Sequence, residues 1–301
     1  MTILHVRLDA IEQQARSRIR LSGPDAVRFL HGTVTADIEG LEPGHAAPAG
    51  LLTVKGKLVC EMVVLRRDDE GLDLLVPTGQ AESVADLLDR HIIMDEVELE
   101  RSGPVALALV WNSDGSSPEL GSTSGVATCV TRHPAPGLLV TGPAEAVESA
   151  LVDVQRVDAR AFEAYRVETA SPAWGHELGP DFFPPEVGFV HAVSYDKGCY
   201  LGQEPLARIH ARGQVNRVMV RVEANRMPTE VPAPLSHPER SDAGRWTTAA
   251  ERDGTVVGLA IVRRAMAAPQ TVLQGPDGLE VRVVSGPLGD DPGVGSRRAR
   301  A

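Results

Sequence analysis

The 301-residue chain is short of aromatic side chains, with five Phe, three Tyr and three Trp. Aliphatic residues must therefore fill most of its core, and any clustering of the few rings asks for a reason. Cysteine is scarcer still. Cys60, Cys129 and Cys199 are odd in number, far apart and without a C-x-x-C, which disfavours a disulfide framework and a structural zinc site. No metal-ligand set stands out, and His191 and His210 have the wrong spacing for one. Positive charge is in deficit: a formal net charge of −11 argues against a chain that coats nucleic acid or an anionic membrane. No apolar run reaches the length of a membrane-spanning helix, and MTILHVRLDAIEQQARSRIRL lacks the apolar centre of a signal peptide. The cytoplasm is the expected compartment.

The length suggests about two domains. In SGPDAVRFLHG the early proline and closing glycine predict a short helix over 24–31. From 50 to 76 the pattern predicts three strands joined by Lys-Gly-Lys and Asp-Asp-Glu-Gly turns, then a helix over 79–93 and further strands in VELE and VALALVW. ATCVTR and GLLVTG continue the strands, and the segment from PAEAV to VETA reads as two helices. The proline-rich stretch 226–244 is expected to be irregular, inside a final unit of short strands that suits a small β-barrel. The expected division is a region 1–215 with 48–104 as an inserted α+β subdomain, followed by a barrel at 216–301.

Eight of the rings fall between 162 and 200: Phe162, Tyr165, Trp174, Phe182, Phe183, Phe189, Tyr195 and Tyr200. Such a concentration suits either a flat heterocycle held by stacking or a local aromatic core under a long loop. Over residues 197–221, Lys197, Arg208, Arg212, Arg217 and Arg221 face only Glu204, so a small anion would be drawn there unless these charges merely coat a solvated face. Within the same stretch, KGCYLGQE sets Cys199 between Gly198 and Gly202, two residues from Lys197. A glycine-flanked thiol beside a cation has what a reactive thiolate needs, whereas unpaired cysteines are also among the most buried residues; both readings stay open. For Cys60 and Cys129, inside apolar strand patterns, burial is expected.

KGCYLGQE matches K-G-C-[FY]-x-G-Q-E, the signature of the YgfZ-type folate-binding proteins, at every position. The chain resembles that family, relatives of the glycine-cleavage T-protein (aminomethyltransferase) that are implicated in assembling or repairing iron–sulfur clusters in certain enzymes. The likeness extends through SGPDAVRFLHGTVTADIEGLEPG, LLTVKGKL, RVETASPAWGHELGPDFFPPEVGF and DGTVVGLAIVRRA. It implies an α+β, T-protein-like fold of several domains around a central tunnel that takes tetrahydrofolate, with a small C-terminal β-barrel. It also implies iron–sulfur enzymes or cluster-assembly proteins as partners. Arg166 and Glu168 match the family's R-x-E, Pro172 and Gly175 its P-x-x-G, and Glu186 its P-x-E. On this resemblance Glu168 or Glu186 holds the pterin edge, Trp174 or Tyr200 stacks, and Arg166, Gln203 and Glu204 join the folate-binding set, with Cys199 and Lys197 as the chemical pair. The chain departs from the aminomethyltransferases after Gly56, where KLVCEM lacks the paired aspartate and supplies only Glu61, one position off and so on the opposite strand face. That speaks against aminomethyl transfer; a one-carbon transferase using Glu61 is the alternative.

Overall fold

The computed structural model describes residues 2–68, 71–114, 116, 118, 120, 124–212 and 215–288, with the side chain of Arg212 and the tail GSRRARA outside that set. Two compact units share the chain: Met1–Asp158 with Ala192–Gln203, and Ala159–His191 with Glu204–Ala301.

The first unit holds β1 (Ile3–Arg7), β2 (Arg16–Ser22), α1 (Ala26–Thr33), β3 (Ala46–Leu52), β4 (Leu58–Arg66), β5 (Gly71–Pro77), α2 (Ala81–His91), β6 (Glu98–Pro104), β7 (Ala106–Asn112), β8 (Ala127–Thr131), β9 (Gly137–Gly142), α3 (Ala144–Ala150) and β10 (Gln155–Arg156). Alternation along the strands decides the layering. Cys60, Met62 and Val64 of β4 share a face with Ile19 and Leu21 of β2 and Leu72, Leu74 and Val76 of β5, and this face is covered by Phe29 and Leu30 of α1 and Val84, Ala85 and Leu88 of α2. The resulting sheet runs β3-β4-β5-β2-β6, and a second runs β10-β1-β7-β9-β8. The Lys-Gly-Lys turn forms as expected: Gly56 has φ +77° and its N–H donates to the Thr53 carbonyl at 2.8 Å.

The second unit holds α4 (Ala159–Thr169), most of α5 (Gln203–Arg212), β11 (Arg217–Ala224), β12 (Ala233–His237), β13 (Arg240–Arg252), β14 (Thr255–Arg263), β15 (Val272–Gln274) and β16 (Glu280–Val283). Its six strands close into a barrel, β11-β14-β13-β12-β15-β16, around Val218, Val220, Trp246, Ala260, Val262 and Val281. Trp246 fits only because Gly258 lies against it: a Cβ there would stand 2.0 Å from the indole nitrogen. Val167 of α4 packs on Met219, Ala250 and Leu259 of the barrel wall, so α4 and the segment after it divide with the barrel, and the observed units differ from a simple boundary at 215/216.

One expectation is overturned. The stretch 226–244 is not irregular throughout, because β12 and the start of β13 lie in it, with Pro234 paired across to Arg245. Proline is tolerated there because β12 has little ladder to lose on its far side, where it meets β15 at Ser236 alone. Among the described residues no helix is long and apolar enough to cross a membrane.

Candidate functional site

In the first unit the segment carrying KGCYLGQE is laced to the end of α1. A helix leaves its last carbonyls without intrahelical partners. Lys197 meets that need, its Nζ donating to the carbonyls of His31, Val34 (2.6 Å) and Ala36 (2.7 Å). The hydroxyl of Thr35 donates to the Ala192 carbonyl, and Ser194 N–H donates to the Thr35 carbonyl at 2.9 Å. All three ammonium protons of Lys197 are therefore committed to backbone, and its charge also lies 4.7 Å from the centre of the Tyr200 ring. Burial pulls its pKa down to about 8 against the opposing pull of Asp37 and Glu39. The structure thus places Lys197 as the clamp of the loop, with no ammonium proton left to hydrogen-bond the thiol.

Cys199 itself is exposed, while Cys60 and Cys129 are buried. Of the two flanking glycines only Gly202 is sterically demanded, with φ +79° and a Cβ that would meet the Thr53 carbonyl at 2.4 Å; Gly198 has open space around it. Burial pushes the Cys60 thiol well up and that of Cys129 to about 12. Native protein should accordingly lose one thiol equivalent rapidly to a thiol reagent such as Ellman's, with the other two reacting only on unfolding. Equal rates for all three would contradict the buried placement of Cys60 and Cys129. Tyr200 is buried, and its hydroxyl has no hydrogen-bond partner. Gln203 opens α5 with its N–H donating to the Tyr200 carbonyl, and exposed Glu204 pairs with Arg208 one turn on.

The second unit holds the rest of the expected set and sorts it. Arg166 is wholly buried and all five of its N–H groups have acceptors: both Glu163 oxygens, the Ser171 carbonyl, Glu177 and the Thr248 hydroxyl. It belongs to the framework, with no donor left for an anionic ligand, and the expectation that it grips folate is corrected on that ground. Its partner Glu177, equally buried, also accepts from Thr247, Thr248 and the Ala173 N–H. Burial alone would raise the Glu177 carboxyl, but Arg166 heads the groups that hold it below the usual carboxylate range. Glu168 sits on the exposed end of α4 and pairs with Arg252 at 3.1 Å, a surface ion pair. Glu186 is different: it is buried on a 3-10 turn, accepts the Phe183 N–H and pairs with Arg217 at 3.1 Å. Of the two carboxylates offered for a pterin edge, Glu186 has the enclosed setting. Trp174 is half-buried, whereas Phe162, Phe182 and Phe189 are core, so much of the aromatic concentration is packing.

Among the described residues the charges of the basic run are each engaged within their own unit. Besides Lys197 and Arg208, Arg217 is held by Glu186, and Arg221 caps α4 by donating to the carbonyls of Val167 (2.9 Å) and Glu168 (2.7 Å).

Glu61 faces away from Cys60, as the strand register predicts, into a buried cluster absent from the sequence reading. Arg16 donates to it at 2.6 Å and His133 Nε2 lies 2.8 Å from its other oxygen, all three side chains being essentially without exposure. Burial pushes the Glu61 carboxyl up, but Arg16 and then His133 together hold it below the usual range. The one hint in the sequence was R-S-R-I-R-L-S, whose alternation puts Arg16, Arg18 and Arg20 on one face of β2. Arg20 and Arg67 meet Asp73 in a cleft of about 810 Å³. Its lining takes in Gly44, Leu65 and Arg66, at the opposite end of β3 and β4 from the turn that Gly202 touches. Among the described residues no three His, Cys, Asp or Glu side chains gather as a metal site.

No protein-family model matches the chain. It is 26% identical over 234 residues to the tRNA-modifying protein YgfZ of Sodalis glossinidius, covering 71% of each chain. It is also 26% identical over 215 residues to a mitochondrial iron–sulfur cluster assembly factor IBA57 homolog of Phaeosphaeria nodorum, covering 67% of this chain and 52% of that one. The fold matches the glycine cleavage system aminomethyltransferase T from Bartonella henselae with a TM-score of 0.75 at 17% identity, over 94% of this chain and 85% of the other. The chain is similar to YgfZ-type proteins and has the fold of that aminomethyltransferase T. The barrel and mixed α/β architecture are those of that neighbour's fold, and the KGCYLGQE segment carries the exposed thiol.

Proposed function

We propose that this chain is a cytoplasmic, tetrahydrofolate-binding accessory protein that supports the assembly or repair of iron–sulfur clusters in client enzymes, with Cys199 as its chemically active side chain. The observation that carries the reading is the placement of KGCYLGQE: a motif complete at every position, clamped through Lys197, presents the one exposed cysteine. Relatives named for YgfZ and for iron–sulfur cluster assembly, aligned over about two thirds of the chain or more, support the same role. The residues suit a reduced folate. In the second unit Trp174 offers a half-buried flat face, and Glu186 an enclosed carboxylate that would exchange its bonds from Arg217 for the guanidine-like pterin edge. Bound folate would supply one-carbon and redox chemistry; the chain's own part is to hold it and to position the thiol. One-carbon transfer through Glu61 is not favoured, because Arg16 and His133 already occupy both of its oxygens.

Folate binding is tested by thermal unfolding with added tetrahydrofolate. A ligand at a hundred times its Kd stabilises the native state by about 2.7 kcal/mol, a rise of several degrees. No rise at ligand concentrations near a millimolar would remove the folate part of the proposal. Glu186→Gln should abolish most of the shift, and Glu168→Gln should leave it intact.

A further inference from the structure

Three arginines stand on the outer wall of the barrel, on neighbouring strands: Arg217 on β11, Arg263 opposite it on β14, and Arg245 on β13 opposite Ile261. They alternate with the interior residues Val218, Val262 and Trp246, so their side chains leave the barrel together. Between them lies a cavity of about 250 Å³ lined by Phe182, Arg217, Asp242, Arg245, Ile261 and Arg263. Like charges this close repel unless each has a counter-charge. Two of them do. Arg217 pairs with Glu186, and Arg263 with Asp242.

Arg245 has none. Its guanidinium lies 4.5 Å from the centre of the Phe182 ring, which Arg217 approaches to the same distance. Its Nε is buried without an acceptor. Asp181 and Glu177 attract it from beyond ion-pair distance, and Glu177 is already engaged by Arg166. Burial first, and then the neighbouring Arg217, hold its pKa below the usual arginine value. A half-buried cation pressed against another, with an orphan donor, costs stability unless something completes it. Asp73 in the first unit is the contrast, because there a carboxylate is built in among the arginines.

We infer that the cavity between Phe182 and Arg245 is a binding site for a small oxyanion, a phosphate or a carboxylate, taken up by the Arg245 guanidinium with Arg217 and Arg263 as flanking charges. A guanidinium offers its N–H edge for two parallel bonds, the geometry that carboxylate and phosphate both accept. The inference does not rest on the folate reading. It is compatible with it, since an oxyanion arrives either as free phosphate or as the carboxylates of a glutamyl tail, and the test separates these sources.

The experiment is calorimetric titration of the full chain with inorganic phosphate and, separately, with γ-glutamylglutamate, which has no pterin. The comparison uses wild type, Arg245→Met and the control Arg252→Met on the exposed surface. At least one anion should bind wild type and the control equally, and Arg245→Met should weaken it tenfold or more. Arg245→Met without ligand should melt at or above the wild-type temperature, because a repelled charge has been removed. Phosphate binding alone assigns a phosphate-bearing ligand, and dipeptide binding alone assigns a carboxylate chain. If neither anion binds at millimolar concentration, or if Arg245→Met binds as wild type does, the site is wrong whatever happens with tetrahydrofolate.

Discussion

Arg16→Met should cost about 3–5 kcal/mol of stability, the range for breaking a buried ion pair from one side. The variant leaves Glu61 at zero exposure with only His133 beside it. A buried carboxylate deprived of its cation must be desolvated without return or take up a proton. Denaturant titration at neutral pH measures the loss, and a difference under 1 kcal/mol would show that the cluster is not a unit. Arg16→Met with Glu61→Leu removes both charges and should recover part of the loss, because a packed apolar pair avoids the desolvation cost. The pH dependence has a definite sign. The folded carboxyl of Glu61 is held below its unfolded value, so its contribution is fully present above the unfolded carboxylate pKa of about 4.3. It is lost as pH falls from there through the lower folded pKa. Wild type should therefore lose stability through that acid window more steeply than the double variant, which has no carboxyl to titrate there.

What the residues announced and what they concealed divide along physical lines. The strands Ala46–Leu52, Leu58–Arg66 and Gly71–Pro77 were legible because alternation and turn chemistry are local, and the helix expected over 24–31 appears two residues later as Ala26–Thr33. The buried cluster was not legible, since Arg16 and His133 stand 45 and 72 positions from Glu61 and nothing local marks them as partners. The motif around Cys199 could be read because it is contiguous. The work of Lys197 could not, because its acceptors are backbone carbonyls more than 160 residues away, and a carbonyl has no signature in a sequence. Arg166 misled for the opposite reason. It stands in a familiar R-x-E pattern, yet burial and five satisfied donors give it to the framework. Arg245 belonged to no motif, and only the lack of a counter-charge around it draws notice.

Cys199→Ser should abolish the support that this chain gives to iron–sulfur enzymes while leaving the protein folded. The thiol is exposed, and the loop is held by Lys197, Thr35 and Ser194 through bonds that the substitution does not touch. An exposed change of this kind stays within about 0.5 kcal/mol. Volume and hydrogen bonding are nearly kept; what disappears is a soft, polarisable and strongly nucleophilic sulfur. The variant should thus melt with wild type and keep the stabilisation by tetrahydrofolate, yet fail to restore iron–sulfur enzyme activity in cells lacking their own copy. Cys60→Ser and Cys129→Ser should show the reverse, lower melting temperatures through burial of a hydroxyl but activity in proportion to the folded protein that remains. Full restoration by Cys199→Ser would take the thiol out of the mechanism, and the loop clamped by Lys197 would then serve only to carry the neighbouring Tyr200 hydroxyl.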